Sequence, residues 1–532
     1  MKVRTDILRI YKSLHTWVGI TAGMLLFIGF FAGALTIFKQ PLERWASAPQ
    51  DFSATQKSST TDMDKLVYEL VKKYPQTRNE FVLHLEQTEQ HTAPTSWSAE
   101  ESGHELLLTT NQSYAWLNDA GEVQLQERIP SLLTELIDML HRTAGIPVLV
   151  GGEYLGTYLM GVAAVLYFLA LVSGLILLLP TLVKDFFALR AGKNRKRFWL
   201  DAHNVIGIAS LPYHIVISLT IIVFAFHDQF YDSLAEVVYR DQPMFGAPPP
   251  KAQHTYTIEN LLPATTLLQK LQQEAPEFTI TEMRYMGLDT PRATVRAAIV
   301  SPRHMVQGAT SGFVMINPYS GDITNNSMLP GKQNIWSQLI TPFFALHFGS
   351  YGGDLVRWVY FLLGLSGAFL FYSGNLLWIE SRRKLQKNAV EPVVQRRATR
   401  LMAAATVGIC LGCVAGVCAT FAAAKWLHLL NGNINLNYLT VYYSVFLLAV
   451  AWAFLRGAGR AAVQILYLCA FASLAIPVSS LIAVIIPDLG IWWHRSTSAV
   501  DLAALVLAAL FTYAARITVR RIRSQSDSVW AI

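Results

Sequence analysis

Apolar positions along this chain gather into runs long enough to cross a bilayer, and the polar stretches between them are of two kinds. A helix needs about 20 predominantly apolar residues to span the hydrocarbon core. Runs of that kind cover 14–38, 154–182, 201–227 and 355–379, and four more follow at 401–424, 438–455, 461–486 and 499–517. Short basic loops join some of them. Two long segments, 39–153 and 228–346, carry mixed patterning instead. Each opens with a helix-period stretch (63–74 and 258–274) and continues in pieces that alternate apolar and polar positions, as strands do. Those pieces are 81–85, 105–109, 114–117 and 123–126 in the first segment, and 279–286, 293–299 and 312–317 in the second. The pattern predicts a polytopic α-helical membrane protein of about eight spans. Two α+β modules are inserted between spans 1–2 and 3–4, and residues 400–520 form a C-terminal four-span extension.

Charge sets the expected orientation. The N-terminal residues (Lys2, Arg4, Arg9, Lys12), the loop after span 2 (Lys184, Arg190, Lys193, Arg195, Lys196, Arg197) and the loop after span 4 (Arg382, Arg383, Lys384, Lys387, Arg396, Arg397, Arg400) are all basic. The positive-inside rule places them in the cytoplasm. Segment 39–153 has 17 acidic against 9 basic residues, and 228–346 has 10 against 8. Both are expected outside, with both termini inside. Ala46-Ser47-Ala48 resembles a signal-peptidase site, but the run before it is too long for a typical signal peptide, so it is expected to stay as span 1. The composition, 52% hydrophobic and 15% charged, excludes an ordinary soluble protein. The net charge of +7 lies in loops beside apolar runs, which is a membrane pattern and not a nucleic-acid one. Cys410, Cys413, Cys418 and Cys469 all lie within apolar runs and read as small core residues.

The 201–227 run carries His203 and His214, eleven residues apart. On one straight helix that step returns to within about 20° of the same face and advances about 16 Å. Neutral imidazole is a common axial ligand of haem iron, and ionisable residues inside a membrane are functional candidates by default. An internal repeat strengthens this reading over that of a hydrogen-bonded helix pair. SLHTWVGITAG at 13–23 resembles DAHNVIGIASL at 201–211, aligning His15 with His203 and Gly19 with Gly207. LHRTAGIPVLVGGEYLG at 140–156 resembles LHFGSYGGDL at 346–355, aligning His141 with His347. Ser173-Gly174 and Ser373-Gly374 follow at matching depth. A glycine one turn below each leading histidine leaves room for a flat macrocycle, although the same spacing also suits close helix packing. Two symmetric histidine pairs on opposite sides would make two haem sites. The remaining histidines, His428 and His494 among them, read as surface residues, and His227 as interfacial.

With LHTWVG and GALTIF in span 1, LHRTAG, DAHNVIGI, INPYSGDI at 316–323 and LHFGSYGG in this order, the chain resembles the PepSY-associated transmembrane family over about residues 5–385. These iron-regulated membrane proteins include siderophore-iron reductases of the bacterial inner membrane. The resemblance implies a b-type dihaem protein that reduces ferric siderophore at the periplasmic face. It makes His15, His141, His203 and His347 haem-iron ligand candidates, with His214 a fifth that could replace a loop histidine in the outer pair. No Rossmann or P-loop glycine pattern occurs, so the electron donor is expected to be quinol or a separate cytoplasmic reductase. The aromatics Trp336, Phe343, Phe344 and Tyr351 stand on the substrate side. The alternatives are a membrane-tethered PepSY regulator, which leaves the paired histidines idle, and a small-molecule transporter, for which the spans hold few acidic residues.

Overall fold

The structure, a computed structural model, describes residues 4–48, 60–86, 93–98, 108, 111–186, 188–190, 195–240, 257–383, 394–430, 432–523 and 528–530. In chain order its main helices are α1 (Thr5–Thr36), α2 (Lys39–Ala46), α3 (Thr60–Lys73), α4 (Leu133–Thr143), α5 (Leu155–Leu178), α6 (Arg195–Ala209) and α7 (Leu211–Ala225). They continue as α8 (Ala264–Glu274), α9 (Ile335–Phe348), α10 (Gly353–Ser381), α11 (Arg397–Leu427), α12 (Ile434–Arg456), α13 (Ala458–Ile485) and α14 (Ser498–Arg523). Among the described residues seven helices are long and apolar enough to cross a membrane, and the bent pair α6–α7 makes an eighth span if it crosses as one. The chain is a polytopic membrane protein with an antiparallel sheet region, divided into two compact units.

The helical unit comprises residues 1–48, 131–227 and 359–532. Helix α1 is deeply enclosed, its most apolar window 61% buried against 72% for α11 and 17% for the final span. Small residues bring its neighbours close, as at bilayer depth they must. A Cβ on Gly364 would meet Ala34 at 3.0 Å, and one on Gly367 would strike the Phe30 ring. The 201–227 run departs from the single straight helix its length predicts. It breaks at Ser210, and α6 and α7 meet at 69°. Pro212 sits in the first turn of α7, where it has no amide hydrogen to donate and its ring crowds the preceding turn. His203 and His214 therefore do not share one helix face.

Residues 131–153 also depart from expectation, because they pack in the helical unit and not with the first inserted module. The cause is α4, whose Leu133, Leu136, Ile137, Met139 and Leu140 form one buried stripe. A two-stranded hairpin follows, β5 (Leu149–Val150) with β6 (Glu153–Tyr154), turning through Gly151 and Gly152 at φ 64° and 87°. Only glycine takes that backbone freely.

The second unit comprises residues 49–130 and 228–358. Its strands are β1 (Glu80–His84), β2 (Thr95–Ser98), β3 (Gln112–Leu117), β4 (Val123–Arg128), β7 (Thr279–Met286), β8 (Thr294–Val300), β9 (Gly312–Ile316) and β10 (Ile323–Asn325). The sequence pattern counts two modules, but the structure joins them in one antiparallel sheet of order β10-β9-β8-β7-β1-β2-β3-β4. The seam is β1 against β7, with Phe81 opposite Tyr285 and their rings stacked at 4.6 Å. Pairing there removes two exposed strand edges. Leu66 and Leu70 of α3 and Leu267 and Leu271 of α8 cover Phe81, Met283, Tyr285 and Val314 on one face of the sheet. Asp64 accepts from the Thr265 amide at 2.8 Å and so caps the positive N-terminus of α8. The Asn317-Pro318-Tyr319-Ser320-Gly321 turn joins β9 to β10, where Asn317 Oδ1 accepts from the Tyr319 and Ser320 amides. Strands β2 and β10 escaped the alternation pattern, being four and three residues long. The piece expected at 105–109 falls outside the described residues, apart from Leu108.

Candidate functional site

His15 on α1 and His203 on α6 line one cavity of about 550 Å³ inside the helical unit. Its walls come from α1, α5, α6, α7 and α10, and are mostly apolar: Ile20, Leu171, Leu175, Ile208, Leu370 and Phe371 among them. The two histidines are held in matching ways. His15 Nδ1 donates to the Ala170 carbonyl oxygen at 2.8 Å, with Ser173 Oγ at 3.5 Å. His203 Nδ1 lies 3.0 Å from Ser373 Oγ, which is itself 3.2 Å from the Leu370 carbonyl. In His15 the carbonyl partner puts the proton on Nδ1, and in both rings Nε2 has no hydrogen-bond partner among the described residues. Such a bond on one ring nitrogen fixes the tautomer and orients the other for ligation.

All four glycines of the repeat line the cavity, and they differ in what surrounds them. Gly174 and Gly374 pack under the imidazoles, where a Cβ would lie 3.0 Å from His15 Cε1 and 3.5 Å from His203 Cε1. Gly19 and Gly207 have more room. A Cβ on Gly19 would meet nothing within 4 Å, and one on Gly207 only Leu370 Cδ2 at 3.8 Å. Close helix packing is therefore not the reason for these two glycines.

The other predicted residues are placed as follows. His141, on the last turn of α4, puts its ring against Gly33 and its Nδ1 2.8 Å from the Gly29 carbonyl. His214 is completely buried among Phe30, Tyr167 and Tyr213, with ring centroids 5.2–5.9 Å away. Among the described residues neither of its nitrogens has a hydrogen-bond partner, nor does the buried hydroxyl of Tyr167. His141 and His214 thus lie against neighbouring positions of α1. His347 belongs to the sheet unit, on the last turn of α9, with Phe348 at 5.3 Å. The side chain of Trp336 is outside the described residues.

Sequence reasoning missed Tyr167, Trp378 and the lysines Lys12 and Lys196, all of which line the cavity. Each stands within a few residues of a repeat motif or one helix away from it. His428 is not a free surface residue: its Nε2 lies 3.3 Å from the Tyr438 hydroxyl and its ring meets Trp492 edge-on at 4.8 Å. Burial lowers its pKa, against a hydrogen bond with the Ala46 backbone that raises it. All four cysteines are buried free thiols.

A family model described as PepSY-associated TM region matches residues 12–381, which take in both histidine-headed spans, both inserted segments and every wall of the cavity. The chain belongs to this family. The match stops before α11, so the last four helices lie beyond it. No curated protein matches the chain.

Proposed function

We propose that this family member is an oxidoreductase of the bacterial inner membrane that holds b-type haem, about two per chain, and delivers electrons to ferric siderophore iron at the periplasmic face. The observation that carries this reading is the cavity shared by His15 and His203. Its donor set suits a porphyrin better than a bare ion. Among the described residues no group of three or more His, Cys, Asp or Glu could hold a metal ion, whereas a porphyrin brings four nitrogens and asks the protein for two. The chain has no CxxCH motif for covalent attachment.

His15 and His203 would hold the group through Nε2, with Nδ1 anchored to Ala170 and Ser373. Gly19 and Gly207 leave open space for a flat ring, and the leucine and isoleucine walls exclude water. When bound, haem supplies reversible one-electron chemistry at its iron. For the outer centre the candidates are His141, His214 and His347. His214 is favoured because burying an imidazole with neither nitrogen bonded is costly unless a ligand takes one. The sheet unit and α9 carry the substrate side, and quinol or a cytoplasmic reductase supplies the electrons. Reduction releases the cargo, because ferrous iron gains less than ferric from hard oxygen donors.

The test begins with the absorption spectrum of the purified protein, whose pigment acid–acetone should extract. His15→Ala and His203→Ala are each expected to remove the same haem. Anaerobically reduced protein should then be reoxidised by ferric siderophore while a ferrous trap colours. A haem-free preparation from haem-replete cells would overturn the reading. Reoxidation by quinone but by no ferric chelate would overturn its siderophore half alone.

A further inference from the structure

The basic end of the His15–His203 cavity carries a second feature. Lys12 and Lys196 both line it and both are exposed. Lys12 is three residues before His15 on α1, and Lys196 is seven before His203 on α6. On a helix those steps keep a residue within about 60° and 20° of the histidine's direction, roughly 4.5 and 10.5 Å nearer the helix start. Each ammonium therefore stands above its histidine on the cavity side.

Neighbouring cations are engaged, and these two are not. Arg190 and Arg197 are tied to Asp185 and Asp201 in a shared cluster, with Arg190 2.6 Å from Asp185 and Arg197 3.0 Å from Asp201. Neither Lys12 nor Lys196 has a carboxylate partner among the described residues. A further donor waits in the same wall: the buried indole nitrogen of Trp378 has no hydrogen-bond acceptor among the described residues. The cavity is thus an apolar slot with two imidazoles in its body and, at one end, two cations without a carboxylate partner among the described residues. A ligand complementary to it is flat, apolar and metal-centred, with two acidic groups on one edge.

We propose that Lys12 and Lys196 bind the two carboxylates of the porphyrin and fix its acidic edge toward the basic end of the helices. This rests on the haem reading of the cavity and adds an orientation and a selectivity to it. Lysine at this depth can also reach lipid phosphate along its own flexible stem, in which case esterifying the porphyrin would change nothing.

The experiment uses full-length protein stripped of pigment and titrated with haemin and with haemin dimethyl ester, in which both acids are blocked. Wild type should bind the free acid about tenfold more tightly than the ester, the combined effect of two part-exposed charge pairs. The Lys12→Gln/Lys196→Gln double variant should lose that preference with unchanged helical content and Tm, and Lys12→Arg/Lys196→Arg should restore it. Equal binding of acid and ester by wild type, or a preference that survives the glutamine variant, overturns the proposal and leaves the haem site standing. If wild type binds neither compound, the haem reading itself fails and takes this proposal with it.

Discussion

At the scale of single residues, the two kinds of glycine make separable predictions. Gly19 lies within α1, where glycine is about 1 kcal/mol less favourable than alanine, and an added Cβ meets nothing. Gly19→Ala should therefore hold or raise the thermal stability of haem-free protein while lowering its haem affinity, because the methyl group occupies cavity space. Titration with haemin beside a melting curve reads both effects. A fall in apo stability would mean that Gly19 serves packing. Spacing alone left these alternatives open, since a glycine four residues after a histidine suits either role; only the distances around Gly19 and Gly174 separate them. His214 teaches a related lesson. Its position was legible, but its lack of any polar partner is a property of Phe30, Tyr167 and Tyr213, which come from three helices.

At the scale of elements, the C-terminal helices are seen to grip α4. Asn435 Oδ1 accepts from the Leu132 amide at 2.8 Å, Tyr438 meets Ser131 at 3.2 Å, and the Tyr443 hydroxyl donates to the Gly145 carbonyl at 3.1 Å. Helix α12 thus holds both ends of the helix that carries His141. Asn435 is buried, so Asn435→Ala strands an amide and should cost about 1–3 kcal/mol in a denaturation curve. If His141 is a ligand, the same variant should also broaden the spectrum of one haem and spare the other. Helix α2 gives a pH dependence. Burial pushes the Glu43 carboxyl up to about 7, with Lys39 opposing the shift and Glu135 adding to it. The folded state then binds more protons than the unfolded one between the usual carboxylate range and about pH 7. This group's contribution is whole at low pH and is lost as pH rises through about 7. Tm should fall over that window in wild type and fall less in Glu43→Gln. An unchanged slope in the variant would assign the effect elsewhere.

At the scale of the whole molecule, the bent pair α6–α7 decides the number of crossings. A re-entrant loop would leave seven and put β1 and β7 on opposite sides of the bilayer, which their pairing in one sheet forbids; if the seven long helices all cross, the pair therefore makes an eighth span and the two termini share a side. A reporter active only outside the cytoplasm should work when inserted at Gly331, an exposed turn before α9, and fail at the C-terminus. Activity at the C-terminus would mean that one of the long helices does not cross. Run lengths, loop charges and the repeat determined by themselves the helices, the strand-rich segments, the family and the matched positions of His15 and His203. Hydrophobic length and local periodicity are properties of neighbours in sequence, and motif order survives without coordinates. Tertiary structure alone decided that β1 pairs with β7 across about 200 residues to make one sheet, and that α4 leaves its module for the helical unit. It alone set the 69° angle at Ser210, beside Pro212, that separates His203 from His214. In each of these cases the outcome depends on a surface supplied by a distant segment: a free strand edge, an apolar groove beside α1, or room for a turned helix. Patterning shows which face of an element must be covered, and only the packed chain shows by what.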